Sequence, residues 1–133
     1  MDMNNVYDVA RYRLMTGAFD WLSANLVLTA WSGTPVFSAT DEVIADVTAH
    51  GPVARGSSLP ITSKTVTPDG TGQTNQVVIP GITIGAPVTF FTMSNATELI
   101  LFIDEALELP FIPNGLDMLV QPDWLEQRGW WRP

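Results

Sequence analysis

Residues 87–105 read PVTFFTMSNATELILFIDE. Two runs of β-branched and aromatic strand formers, PVTFFTMS and ELILFIDE, stand on either side of a Ser-Asn corner, the kind of polar break that turns a chain. The same grammar extends outward. ITSKTVT (61–67), NQVVIP (75–80) and DMLVQP (117–122) read as further short strands, with PDGTG, PGITIG and FIPNG as the breaks. Short strands at near-regular spacing with Gly/Pro punctuation predict a sandwich or barrel. Pro60, Pro80, Pro87 and Pro122 fall at segment ends, where a missing N–H spares the ladder.

The front of the chain differs. Asn5–Thr16 predicts one short helix, with Asn5 as cap, Val6, Val9, Tyr12 or Arg13, and Leu14 on its apolar side, and Gly17 as a left-handed stop. Leu14 and Met15 are expected to pack this helix onto the sheet. NLVLTAW (25–31) reads as a strand with Leu26, Leu28 and Ala30 on one face, closed by the turn SGTP. In FSATDEVIADVTAHGP, Ser38 or Thr40 is the expected cap of a second helix. Asp41 and Glu42 would sit in its first turn, Val43, Ile44 and Val47 on its apolar side, and Gly51-Pro52 at its end. Tyr12, Trp21 and Trp31 read as core or interface aromatics. The predicted fold class is therefore mainly β: an antiparallel β-sandwich or barrel-like domain over residues 1–121, with one or two short helices near the N-terminus. An extended Trp-rich C-terminal arm is expected over residues 122–133.

Composition narrows the function. The chain has 133 residues, 46% of them apolar and only 15% charged, which predicts an ordered domain and a surface facing other protein. A net charge of −8, with six Lys and Arg among fourteen carboxylates, argues against nucleic-acid or anionic-membrane partners. Cysteine is absent, which removes disulfides, thiolate zinc sites and a cysteine nucleophile. MDMNNVYDVARYR lacks a secretory pattern, and no apolar stretch approaches the roughly 20 residues that span a bilayer. A cytosolic origin is expected.

Candidate chemistry is sparse. Asp104, Glu105 and Glu108, with Asp117 beyond the next turn, form the densest acidic cluster. Paired carboxylates serve glycoside hydrolysis or bind calcium, yet the ligand spacing of a calcium loop is missing. A solvated strand end is the simpler reading. His50 is the sole histidine and has no nucleophile elbow beside it. GITIG lacks the third glycine and the lysine of a phosphate loop. No cofactor, metal site or catalytic residue is expected.

Several stretches resemble a family of small accessory virion proteins of tailed bacteriophages. They are TGAFDW (Thr16–Trp21), FSATDE (Phe37–Glu42), LPITSKTVT (Leu59–Thr67), LFID (Leu101–Asp104) and IPNG (Ile112–Gly115), in the order the family carries them. The resemblance implies a non-enzymatic part of a phage particle, made in a bacterial cytoplasm, present in many copies and oligomeric once assembled. Its partners would be major capsid, neck or tail subunits. A head decoration or cement protein is the leading expectation, with a neck, collar, spike or tail accessory role beside it.

The closing WLEQRGWWRP departs from that family. Three indoles, Trp124, Trp130 and Trp131, stand in the last ten residues. Burying each would remove about 150–250 Å² from water, a gain that favours either a fold back onto the domain or a neighbouring subunit. Trp124, Trp130, Trp131, Tyr12 and Arg13 are the expected partner-binding residues. A carbohydrate-binding module that stacks these aromatics on a glycan is the alternative from another class, and a small hydrolase using the acidic cluster is a third.

Overall fold

A computed structural model describes residues 4–66, 68, 72–74, 76–95, 98–104 and 109–120. The predicted arm, with Trp124, Trp130 and Trp131, lies outside the described residues, as do Glu105 and Glu108.

The stretch that decides the fold forms β7 (Val88–Asn95) and β8 (Glu98–Ile103), paired antiparallel from Phe91↔Ile103 to Asn95↔Glu98. Strand β2 (Leu26–Ser32) lies along the other edge of β7, with Leu26 opposite Asn95 and Trp31 opposite Phe90. β1 (Asn4–Val6) and β3 (Val53–Ser57) close the two sides, giving a five-stranded antiparallel sheet in the order β1-β8-β7-β2-β3. Two small ladders accompany it: β4 (Thr65–Val66) with β5 (Gly72–Gln73), and β6 (Val77–Ile79) with β9 (Met118–Val120). The architecture is mainly β, antiparallel and sandwich-like. It is not a closed barrel, because β1 and β3 end the main sheet without meeting.

Both faces of that sheet are buried. On one, Leu26, Leu28, Ala30, Phe91, Met93, Leu101 and Ile103 pack against Val77, Ile79, Ile82, Met118 and Val120 of the β6–β9 layer. On the other, Trp31, Phe90, Leu99 and Phe102 pack with Tyr7 and Val47, and with half-buried Val9, Phe37 and Ile44. The rings of this second face form a chain. Trp31 stacks on Phe90 at 6.0 Å and 6°, Phe90 meets Phe102 at 5.2 Å, Phe102 meets Phe37 at 5.4 Å, and Phe37 meets Tyr7 at 5.1 Å. Removing each ring from water is worth roughly 4–6 kcal/mol before ordering costs. The Trp31 indole N–H donates to Thr92 Oγ1 at 2.9 Å in this dry layer, so its polar atom is not stranded.

Two short helices cover that face, each differing from the sequence expectation at its start. α1 runs over Asp8–Met15, not from an Asn5 cap: Asn4–Val6 pair with β8 instead, and Tyr7 N–H donates to Ile100 O at 3.0 Å. A sheet edge already supplied those backbone groups with partners. Gly17, at φ +77°, ends the helix as expected. Leu14 and Met15 do not pack down; both are exposed, and Ala10 is the buried residue of the helix. α2 spans Ile44–Ala49, so Asp41 and Glu42 precede it. Neither Ser38 nor Thr40 caps it, their hydroxyls bonding each other at 3.3 Å. Asp46 Oδ2 reaches back instead, accepting the N–H groups of Glu42 (2.9 Å) and Val43 (3.1 Å).

Trp21 and Trp31 are core residues, whereas Tyr12 is exposed. The Trp21 indole lies over Gly72, where an added Cβ would sit 2.8 Å from the ring. Only a residue without a side chain lets β5 approach so closely. Among its described residues, ITSKTVT contributes the two residues of β4 to a strand, while Ile61 enters the core and Ile61 N–H bonds Leu26 O at 2.8 Å.

Thr92→Val should leave a buried indole N–H without an acceptor and lower stability by about 1–3 kcal/mol. Urea unfolding measures it, and an unchanged midpoint would show that the bond is dispensable. Gly72→Ala should likewise lower the thermal midpoint by displacing the Trp21 ring.

Candidate functional site

A polar group lies where α2 returns towards the sheet. Leu99 N–H donates to Glu42 O at 2.8 Å and Asp8 N–H to Ala39 O at 2.9 Å, fixing the loop before α2 between α1 and β8. This brings His50, the C-cap of α2, onto Asp41, with Nε2 at 2.7 Å from Oδ2. The Asp41 side chain is 11% exposed and that of His50 31%, so the pair clasps the two ends of the helix at its surface. Tyr7 lies fully buried nearby, and its hydroxyl meets no hydrogen-bond partner. Burial, and then the Asp41 charge, push the phenol well above its ordinary value, which keeps it protonated. Acid–base chemistry requires a group that can reach a substrate. The phenol is sealed in the aromatic layer, and His50 is paired with Asp41 rather than with a described hydroxyl. The constellation fastens α2; its geometry presents no nucleophile.

Of the acidic cluster, Asp104 and Asp117 are described and Glu105 and Glu108 lie outside the described residues. Asp117 Oδ1 accepts the Gly81 N–H at 2.8 Å, which ties the loop before β9 to the loop after β6. Asp104 is exposed at the end of β8. Among the described residues no three His, Cys, Asp or Glu side chains are grouped to hold a metal ion. No described helix is long and apolar enough to cross a membrane.

Apolar surface is the more distinctive feature. α1 buries little of itself, and Tyr12 (63% exposed) and Met15 (85%) stand three residues apart, on one helical face. Leu14 and, just beyond the helix, Leu22 are exposed as well. Arg13 belongs to the same helix, but its guanidinium is engaged: Nε and one terminal nitrogen each donate to Glu98 at 3.2 Å. That hydrogen-bonded pairing raises the arginine above its ordinary value. Being exposed, it orients α1 on β8 more than it stabilises the fold.

A second apolar group sits on two stitched loops. Gly115 N–H donates to Ile82 O at 3.1 Å, and Asp117 grips Gly81 from the same loop. Ile84, Ile112 and Leu116, carried by these loops, are all exposed. A third feature is an open groove of about 360 Å³ between residues 59–63 and β6, lined by Leu59, Pro60, Ile61, Val77, Val78 and Pro80 among others.

Of the expected contact residues, the structure places Tyr12 on the exposed face of α1 and Arg13 in its ion pair; the three tail tryptophans lie outside the described residues. Sequence reading missed the exposed loop residues, and Ile84 had a signal. It stands inside GITIG, flanked by turn glycines and two residues after Ile82, which the core takes instead.

No protein-family model, curated protein or solved structure matches this chain.

Asp46 gives a pH prediction. The two backbone N–H bonds from Glu42 and Val43 hold its carboxyl below the ordinary aspartate range. Its support of α2 is therefore complete above the unfolded-chain value and is lost as pH falls through the lower folded value. Carboxyl NMR titration should place the Asp46 midpoint below the ordinary value of about 3.9, and Asp46→Ala should weaken amide-exchange protection across α2. An ordinary midpoint would remove the capping role.

Proposed function

We propose that this chain is a non-enzymatic structural component of a tailed-bacteriophage virion. It would be a multi-copy protein that decorates or cements the head by docking on neighbouring subunits. The observation that carries the reading is the apolar surface. On a domain with only 15% charged residues, α1 presents Tyr12, Leu14 and Met15 to the outside, and the stitched loops present Ile84, Ile112 and Leu116. Large apolar side chains grouped on a surface mark a contact with another protein, and depletion of charge is a compositional trait of interface cores. The segment resemblance to small phage virion proteins supports the same reading, as do Trp124, Trp130 and Trp131 in the arm at 122–133, tryptophan being enriched among binding hot spots.

The mechanism is physical rather than chemical. A single weak apolar contact does little, but many copies on a symmetric particle are held together by high local concentration. The antiparallel sheet, packed on both faces, provides the rigid body that such a lattice needs. A neck, collar, spike or tail accessory position would use the same surfaces.

Mass spectrometry of purified particles tests the reading, and absence of the chain from them would end it. Met15→Glu places a charge on the most exposed apolar side chain of α1. It should leave the thermal midpoint within about 0.5 kcal/mol of stability yet lower incorporation into particles severalfold. Truncation after Gln121 should do the same; full incorporation of both variants would show that neither α1 nor the arm makes the contact.

A further inference from the structure

β3 breaks its pairing at one residue. Ala30 lies opposite Gly56 and Trp31 opposite Ala54, so Arg55 has no partner on β2. A bulge of this kind re-aims a side chain that the alternation of a regular strand would send to the other face. Gly56 lies against Ile79 and Ile82, where an added Cβ would sit 3.3 and 3.5 Å from their side chains. Arg55 reaches the residue next to Ile82: one terminal guanidinium nitrogen donates to Thr83 O at 2.6 Å. A Cβ added at Gly85 would meet that same nitrogen at 2.8 Å and the other terminal nitrogen at 3.3 Å, so a glycine leaves the guanidinium its room. Arginine heads ordinarily stay in water. Here Nε is buried with no hydrogen-bond partner among the described residues.

The loop that Arg55 grips joins β6 to β7. Its two ends are tied to the segment before β9. Gly81 N–H donates to Asp117 and Gly115 N–H to Ile82 O, and Val88 and Phe111 exchange backbone bonds of 2.8 and 2.9 Å. Between those ends lies the crest, residues 83–87. Among the described residues, the Arg55 bond to Thr83 is the one hydrogen bond that ties the crest to the rest of the fold. Exposed Ile84 stands between the residue whose carbonyl the arginine holds and the glycine that the guanidinium covers.

We infer that Arg55 is a positioning residue: its guanidinium latches the crest of the β6–β7 loop and holds Ile84 outward beside Ile112 and Leu116. A side chain fixed before contact loses less freedom when it binds. The use of that pose rests on the docking role proposed above, whereas the latch is a property of the isolated chain.

Backbone 15N relaxation of the isolated chain tests the latch. In the native chain the Ile84 amide should show the order parameter of rigid backbone, about 0.85. Arg55→Met keeps the length of the side chain and removes its donors. Gly85→Ala keeps the arginine and displaces the guanidinium, at a position whose backbone is not left-handed. Each variant should lower the Ile84 value below about 0.6. The double variant should fall no further than the singles, because both break one contact, and Ile112 should keep its native value throughout. An Ile84 amide as ordered in Arg55→Met as in the native chain would overturn the inference. Losses that add in the double variant, or equal loosening at Ile112, would overturn it too. If Arg55→Met fails to fold, Gly85→Ala decides alone. Full incorporation of Ile84→Asp into particles would count against the docking role and leave these order parameters as they are.

Discussion

The stacking of Trp31 on Phe90, with the indole N–H held by Thr92, is the interaction on which the rest of the molecule depends. It joins the central strand β7 to its neighbour β2 on the face away from the β6–β9 layer. Phe102, Phe37 and Tyr7 continue the ring contacts outward to the chain that carries both helices. Aromatic pairs prefer offset or tilted arrangements, and this row adopts them while burying large areas of ring. Without it the sheet would have one dry face and one wet one, and two short helices would have nothing to rest on.

Burying both faces of a five-stranded sheet has a consequence outside. The exterior is left short of charge, because only 15% of the chain is charged. α1 shows the effect most clearly. Tyr7, just ahead of it, is locked into the aromatic layer, and Ala10 is its own buried residue, so Tyr12, Leu14 and Met15 are carried outward. A helix held by its first turn and by the Arg13–Glu98 ion pair presents most of its length to whatever lies beyond.

Much of this fold is legible in the sequence where one strand does one job. β2, β7 and β8 announce themselves because their long runs of Val, Ile, Leu, Phe and Thr suit no other element. β3 does not, because VARGS is an edge strand that pairs on one side only and tolerates Arg55 and Gly56. Asn4–Val6 reads locally as the entry to a helix, and only the distant register with Leu101–Ile103 makes it a strand. The start of α2 is misread because Ser38 and Thr40 are the expected type of cap, while the capping group is Asp46, acting backwards from inside the helix. For the candidate surface, Tyr12 was legible as a core or interface aromatic and as an expected contact, and the structure exposes it. Its helical spacing from Val9 suggests a buried stripe, and the shallow seating of α1 denies it.

The proposed role requires that other protein cover the exposed apolar face of α1 and the paired loops in an assembled particle. Hydroxyl-radical footprinting, comparing the free chain with the chain in purified particles, measures this directly. Tyr12, Met15, Ile112 and Leu116 should lose most of their reactivity on assembly, while Val53, an exposed residue of the β3 edge, keeps its own. Unchanged reactivity at all four positions would contradict the claim.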